Sequence, residues 1–307
     1  MSFTEQIFSI KDYGETHKIM RIFGIKITYP KREYLKKKQE NPYYYYKKNN
    51  IDITTLPPAT GQIRDIQLAN LALLKELDYV CKQNGLTYWA NFGTLLGTVR
   101  HKGFIPWDDD IDVSMMRKDY DKINDAFKNS SRNPDIYADY TIDRHKNCLI
   151  KVQHKKCPLL FVDIFPCDFA NGDADYISRE KLTAKLKKYR KKFVKDKSVT
   201  TAEQMKAKVV DFNKNILKTS EDKEGLVVYG LEYGYTEPIW VQPYETIFPV
   251  KPMKFEDFEI MSVNDPETYL KETMGDYMDY PKRIGVGHSA LLNIEDDERK
   301  IIEELIK

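Results

Sequence analysis

The chain has 307 residues, 31% of them charged and 41% hydrophobic, with a formal net charge of +2. This is the balance of a globular protein with length for one large domain or two modest ones. No run approaches the roughly 18 consecutive apolar residues that a membrane-spanning helix needs. The opening residues carry charges where a secretory signal needs an apolar core, so the expected location is the cytoplasm. Cys81, Cys148, Cys157 and Cys167 then read as reduced thiols rather than a disulfide framework.

In chain order, residues 1–60 read as a leader and an irregular Tyr/Lys-rich arm that ends at Pro57-Pro58. Residues 62–84 form a strong helix: Ile63, Ile66, Leu73, Leu74, Leu77 and Cys81 fall at helical spacing, and Gly85 supplies a stop. Leu86 to Ala90 reads as a strand. A tight Gly93-Thr94 turn leads into a short helix, Leu95 to His101. Asp110 to Met115 alternates polar and apolar residues as a half-buried strand does, and Arg117 to Lys128 is an amphipathic helix. Cys148 to Gln153 and Pro158 to Phe165 read as paired strands around a turn at His154-Lys155-Lys156. Residues 176–218 are helical and basic, with ten Lys or Arg against Glu180 and Asp196 between Arg179 and Lys197. A proline-punctuated C-terminal part follows, and Asp296 to Ile306 forms a last helix.

The chemistry centres on Pro106-Trp107-Asp108-Asp109-Asp110-Ile111-Asp112-Val113. On an extended strand, Asp108, Asp110 and Asp112 share one face, about 6–7 Å apart along the backbone, while Ile111 and Val113 face a core. Clustered carboxylates repel, and a cation relieves them. Mg²⁺, with Mn²⁺ as the alternative, prefers a few carboxylates plus substrate phosphate oxygens. An acidic surface loop is the plain competitor. A calcium loop of the EF-hand kind fails, because Val113 and Asp119 stand where Gly and Glu are required. Two features favour the metal: the Gly93-Thr94 turn offers backbone N–H groups to a phosphate, and Asp163 interrupts the apolar run Leu159 to Phe165, which is costly without a partner or a metal.

Residues 92–112, FGTLLGTVRHKGFIPWDDDID, closely resemble the signature of the LicD family, which includes bacterial phosphocholine transferases and is related to the animal fukutin-related sugar-phosphate transferases. Residues 162–168, VDIFPCD, resemble its second acidic strand. Tyr269-Leu270, Gly275-Asp276-Tyr277-Met278 and Pro281 resemble its C-terminal motif. The likeness spans about residues 62–290 and leaves out residues 1–60 and the basic segment.

The resemblance implies an α/β (α+β) fold of the nucleotidyltransferase type, a mixed sheet flanked by helices. Its catalytic domain would occupy residues 61–295, with a basic helical insertion at 176–218 and a closing helix at 296–307. It implies that Asp110 and Asp112 hold Mg²⁺, that Asp163 is the third carboxylate, and that Gly93 and Thr94 cradle donor phosphate. Arg100, and after it His101 or Lys102, are candidate phosphate clamps, Arg100 foremost for its planar fork, while Arg283 and His288 follow the C-terminal motif and either close over the donor or stay at the surface. Asp108 would support the ligands. Apart from the resemblance, Trp107 and Phe104 stand beside the acids, where core packing is the commoner fate and stacking on a base or a choline group the alternative.

The implied reaction moves a phosphocholine-like or polyol-phosphate group from a CDP-linked donor to a sugar hydroxyl of a surface glycan, as in lipopolysaccharide, capsule or teichoic acid synthesis. Transfer of the nucleotide itself, or non-catalytic binding of a glycan or nucleotide, are the rivals. The basic segment is either a solvated helix packed on the domain or a peripheral contact with anionic lipid near a lipid-linked acceptor. No nucleic-acid motif accompanies its charge. His145, Cys148, His154 and Cys157 have paired N and S donors that suggest zinc, against buried reduced cysteines.

Overall fold

The computed structural model describes the backbone at residues 8–13, 17–22 and 25–30, and the full residues at 42–142, 147–196, 199–218, 225–233, 241–284 and 294–307. The first sixty residues are more regular than their composition suggests. Strands β1 (Phe8–Tyr13), β2 (His17–Ile22) and β3 (Ile25–Pro30) pair as an antiparallel sheet. The tyrosine run lies in helix α1 (Pro42–Lys48). Tyr43 there packs with Ile53, Leu56, Ile105, Trp107 and Ile284 in a small satellite core. That tertiary contact gives an otherwise weak helix its reason to form.

Helix α2 (Gln62–Asn84) runs as the sequence predicts and ends on Gly85, whose left-handed φ of 61° lets its N–H reach the Cys81 carbonyl. Ile66, Leu73, Leu74 and Leu77 are fully buried along it, each contributing about 1.5–3 kcal/mol of transfer free energy. The predicted strand at 86–90 shortens to β4 (Trp89–Ala90), because only these residues find partners, Ser114 and Val113. Helix α3 (Phe92–Arg100) begins earlier than predicted. The Asn91 side chain accepts the Phe92 N–H and caps it, so Gly93 and Thr94 lie in its first turn.

Strand β5 (Ile111–Met116) is followed by α4 (Arg117–Tyr120) and α5 (Ile123–Ser130), two short helices where one was predicted. Strands β6 (Ile136–Ile142), β7 (Cys148–His154) and β8 (Cys157–Ala170) come next. The basic segment folds as α6 (Tyr176–Phe193) and α7 (Ala202–Phe212). Leu186 and Phe193 of α6 are buried against Met205 and Phe212 of α7 and Val228 of β9 (Leu226–Tyr229). The Arg179 guanidinium donates to both oxygens of Glu272 on α9 (Pro266–Met274), at 2.6 and 2.7 Å. The packed-helix alternative therefore holds for one side of α6, and Lys181, Lys185, Lys188, Lys191 and Lys192 are exposed on it. Strand β10 (Val241–Pro243), helix α8 (Tyr244–Ile247), the hairpin β11 (Lys251–Phe255) and β12 (Phe258–Ser262), and α10 (Asp296–Leu305) complete the order.

The main sheet is mixed, in the order β10-β9-β8-β5-β4 with β7 and β6 added beside β8. Strand β8 is its axis. It runs parallel to β5 on one side; on the other it pairs antiparallel first with β7 and then, past residue 166, with β9. Val113, Ile150, Val152, Val162 and Ile164 from these strands are buried in the main core with the apolar face of α2. The fold is the mixed α/β sheet flanked by helices that the sequence predicts.

Candidate active site

Register alone assembles the acids. Asp112 of β5 stands directly across from Asp163 of β8, and Asp163 stands directly across from Lys151 of β7. Three adjacent strands therefore carry a cross-strand row of minus, minus, plus, with neighbours about 4.8 Å apart at the backbone. Asp110 precedes Asp112 by two residues. All four line one cleft of about 450 Å³, together with Phe92, Thr141, Asn147, Leu149, Phe165 and Tyr233. That volume suits a small-molecule ligand.

The backbone of Asp112 is held on both sides. Its N–H donates to Thr94 Oγ1 at 2.8 Å, and its carbonyl accepts the Asn91 N–H at 3.0 Å. Asn91 is itself fixed by Ser114, Tyr229 and Tyr269, through contacts of 2.7 to 2.9 Å. The acidic loop is anchored from below by α2. Gln67 donates to the Asp108 carbonyl at 2.6 Å and Asn70 to the Asp109 carbonyl at 2.8 Å, while Asn70 also accepts the Phe161 N–H of β8. Gln67 and Asn70 are fully buried. The sequence signal for them was two polar residues one turn apart on an apolar helical face.

Electrostatics follow from the row. Burial, and then the charges of Asp110, Asp163 and Asp108, push the Asp112 carboxyl well above the usual carboxylate range, with Lys151 opposing. Lys151 Nζ lies 2.7 Å from Asp163 Oδ1 and sits 3.7 Å from the centre of the Phe161 ring. Among the described residues, no three His, Cys, Asp or Glu side chains already stand in positions to hold a metal ion. The oxygen donors fit Mg²⁺ nonetheless, because that ion takes one or two carboxylates and fills the rest of its shell with water and substrate phosphate rather than with an all-protein cage.

An aromatic group that sequence reasoning missed shares the cleft. Phe92 meets Phe165 edge-on, with centroids 4.9 Å apart, and Tyr233 contacts both. Phe92 also stacks on Tyr229 at 5.4 Å. Its φ of +41° is unusual for a residue with a side chain, and it turns at the point where β4 gives way to α3.

Among the described residues, the other predicted site residues are not part of the cleft lining. A Cβ placed on Gly93 would come 2.5 Å from Asp108 Oδ2, so the Asp108 carboxylate itself covers the first turn of α3, where a helix N-terminus favours an anion. Thr94 spends its hydroxyl on Asp112. Arg100 is buried and donates to the Tyr277 carbonyl at 2.5 Å and to His101 Nε2 at 3.0 Å, which ties α3 to the C-terminal motif. Burial and then the Arg100 charge lower the His101 imidazole to about 4. Lys102 is exposed and donates to the Val99 carbonyl. Trp107 packs on Tyr43 at 5.4 Å and Phe104 on Phe255 at 4.9 Å, so both serve cores. Arg283 is exposed, and His288 lies outside the described residues.

His145 also falls outside them. Cys148 and His154 occupy opposite ends of β7, about 20 Å apart at the strand rise, so these two cannot share a zinc ion. All four cysteines are free and buried, and burial raises Cys148 and Cys157 to about 12, as inert structural thiols require.

Residues 85–209 match the family model of the LicD/FKTN/FKRP nucleotidyltransferase domain. The match runs through α6 and into α7, so most of the segment read as an insertion falls within it. The chain is 28% identical over 248 residues to the lipopolysaccharide cholinephosphotransferase LicD of Haemophilus influenzae, covering 71% of this chain and 92% of that protein. It is 34% identical over 103 residues to an uncharacterised protein of Rickettsia typhi, covering 32% of this chain and 33% of that one. An uncharacterised Rickettsia prowazekii protein is 47% identical over 47 residues, 15% of this chain and 18% of that one. Asp110, Asp112, Lys151 and Asp163 all fall within the matched span, while α2, which buttresses the acidic loop, ends just before it; over residues 85–209 the chain matches the LicD/FKTN/FKRP nucleotidyltransferase domain.

Proposed function

We propose that the protein transfers a substituted phosphate group, of the phosphocholine or polyol-phosphate kind, from a CDP-linked donor to a sugar hydroxyl of a lipopolysaccharide or related surface glycan. The observation that carries this reading is the cross-strand row of Asp112, Asp163 and Lys151, with Asp110, in a cleft large enough for such a donor. The similarity to a lipopolysaccharide cholinephosphotransferase supports the substrate class.

Asp110 and Asp112 would hold Mg²⁺, with Asp163 as the third carboxylate. The bound ion would offset negative charge on the donor phosphates and on the leaving nucleotide. The chain's own groups do the rest. Asn91 and Thr94 fix the Asp112 backbone, so its carboxylate is presented at a constant place. Gln67 and Asn70 hold the loop that delivers Asp108 to Asp110. Phe92, Phe165 and Tyr233 exclude water from their side of the cleft and offer π faces to a base or a quaternary ammonium. Among the described residues no helix is long and apolar enough to cross a membrane. A lipid-linked acceptor would be met at the membrane surface on the cytoplasmic side, where the exposed lysines of α6 suit anionic lipid.

The test follows a donor labelled in both phosphates, CDP-choline first, with a glycan acceptor and Mg²⁺. Release of CMP with the label split between nucleotide and glycan is the expected result. Release of pyrophosphate from a nucleoside triphosphate, with the nucleotide on the product, would support nucleotide transfer instead. Donor binding indifferent to Mg²⁺, without turnover, would indicate a binding protein.

A further inference from the structure

We propose that Lys151 is the resident counter-cation of the carboxylate cleft: it holds Asp163 while no metal is bound, yields that oxygen to the metal, and then presents its ammonium to donor phosphate. The proposal rests on reading the cleft as a metal-assisted phosphotransfer site. Four observations support it. Lys151 is in register with Asp163, which is in register with Asp112, so the lysine is the positive end of the row. Its Nζ is 2.7 Å from Asp163 Oδ1, so the ammonium already engages that carboxylate. It lines the cleft itself. Its ammonium also lies against the Phe161 ring, 3.7 Å from the centre, a second resting place that survives loss of the carboxylate contact.

A purely structural ion pair between β7 and β8 is the competing account. The neighbouring ion pair on the same strand shows how such a pair is built here. Arg117 grips Asp168 and Glu232 with forked, two-oxygen contacts, and both acids are nearly fully buried. The Lys151–Asp163 pair is less enclosed, with the lysine side chain 23% exposed and that of Asp163 15%. A lysine is a compact charge on a flexible stem with rotatable donors, suited to leaving one anion for another. The ammonium and a divalent ion would contend for the same carboxylate oxygen, so removing the ammonium should strengthen metal binding while weakening donor binding.

Mn²⁺ binding to the full chain, without donor, is measured by calorimetry for the wild type, Asp112→Ala, Lys151→Met and Lys151→Arg. Lys151→Met keeps the length of the stem, and Lys151→Gln carries the same test should that variant not fold. The expected result is Mn²⁺ binding about threefold tighter or more in Lys151→Met, with Lys151→Arg close to the wild type, since only the former removes the competing charge. In turnover with CDP-choline, KM for the donor should rise about tenfold in Lys151→Met, the order of one charge-assisted phosphate contact. Mn²⁺ affinity unchanged or weaker in Lys151→Met, alongside Asp112-dependent binding in the wild type, overturns this inference alone. A wild type without Asp112-dependent Mn²⁺ binding overturns the metal reading of the cleft and this inference with it.

Discussion

Strand β8 carries two aspartates five residues apart, and they have opposite fates. Asp168 is closed in a buried cluster, accepting two N–H groups of Arg117 and one of Asn213, with Glu232 bound to the same guanidinium. Burial works against the Arg117 charge, yet the two carboxylates outweigh it and hold the guanidinium well above its usual range. Asp163 stands at the cleft, with Asp112 on one side and a single lysine on the other. Both sites bring acids together. One is satisfied by a rigid fork from its own chain, while the other is an open cleft whose described lining residues include three carboxylates and one lysine. The comparison teaches that surplus carboxylate charge marks a site of function only where the fold leaves it reachable.

The sharpest way to break that contrast is at the cleft. Asp110→Ala should lower Mg²⁺-dependent turnover by about 10³-fold or more, the several kcal/mol that a metal contributes to a charged transition state. Its thermal midpoint should equal or exceed the wild type's, since one source of like-charge repulsion is gone. Equal loss of fold and turnover would make Asp110 a structural acid like Asp168. The opposite pattern is expected at the closed cluster. Arg117→Met leaves Asp168 and Glu232 buried without their cation and should cost about 3–5 kcal/mol in denaturant unfolding. A cost below about 1 kcal/mol would mean that the cluster is hydrated and not closed.

The smallest effect concerns His101, beside Arg100 at the end of α3. Its folded value is lowered to about 4 from the usual 6.5, so the unfolded chain takes up the proton first as the pH falls. The stability it provides is complete above pH 6.5 and is lost as the pH drops from 6.5 towards 4. His101→Gln should flatten the stability profile across that window, by on the order of 1 kcal/mol after solvent screening. An unchanged slope would put the pH sensitivity elsewhere, the coupled acids of the cleft being the next place to look.

Much of this contrast was legible early. The alternation of Asp110, Ile111, Asp112 and Val113 gave a strand with acids on one face, because side chains alternate along any extended chain. Asp163 was conspicuous as a charge within Leu159 to Phe165. The apolar spacing of α2 and its Gly85 stop were equally local. Lys151, Phe165 and Tyr233 were not legible as site residues. A lysine on a strand is ordinary until the register of β7 against β8 puts it opposite Asp163, and that register depends on a shift in the pairing between Gln153 and His154, beside the turn that joins the two strands. Sequence position alone misplaces Arg100 and leaves Trp107 open between a core and a site. They stand beside the acids in sequence, but tertiary packing turns Arg100 to the Tyr277 carbonyl and Trp107 into the core with Tyr43.

By itself, then, the sequence determined which residues carry charge, which face of each strand or helix they share, and where helices stop, since these depend on chain geometry and near-neighbour chemistry. Only the tertiary structure decided which acids acquire a cation of their own and which remain open to solvent. That depends on the strand order around β8 and on burial, and both are set by contacts between residues far apart along the chain.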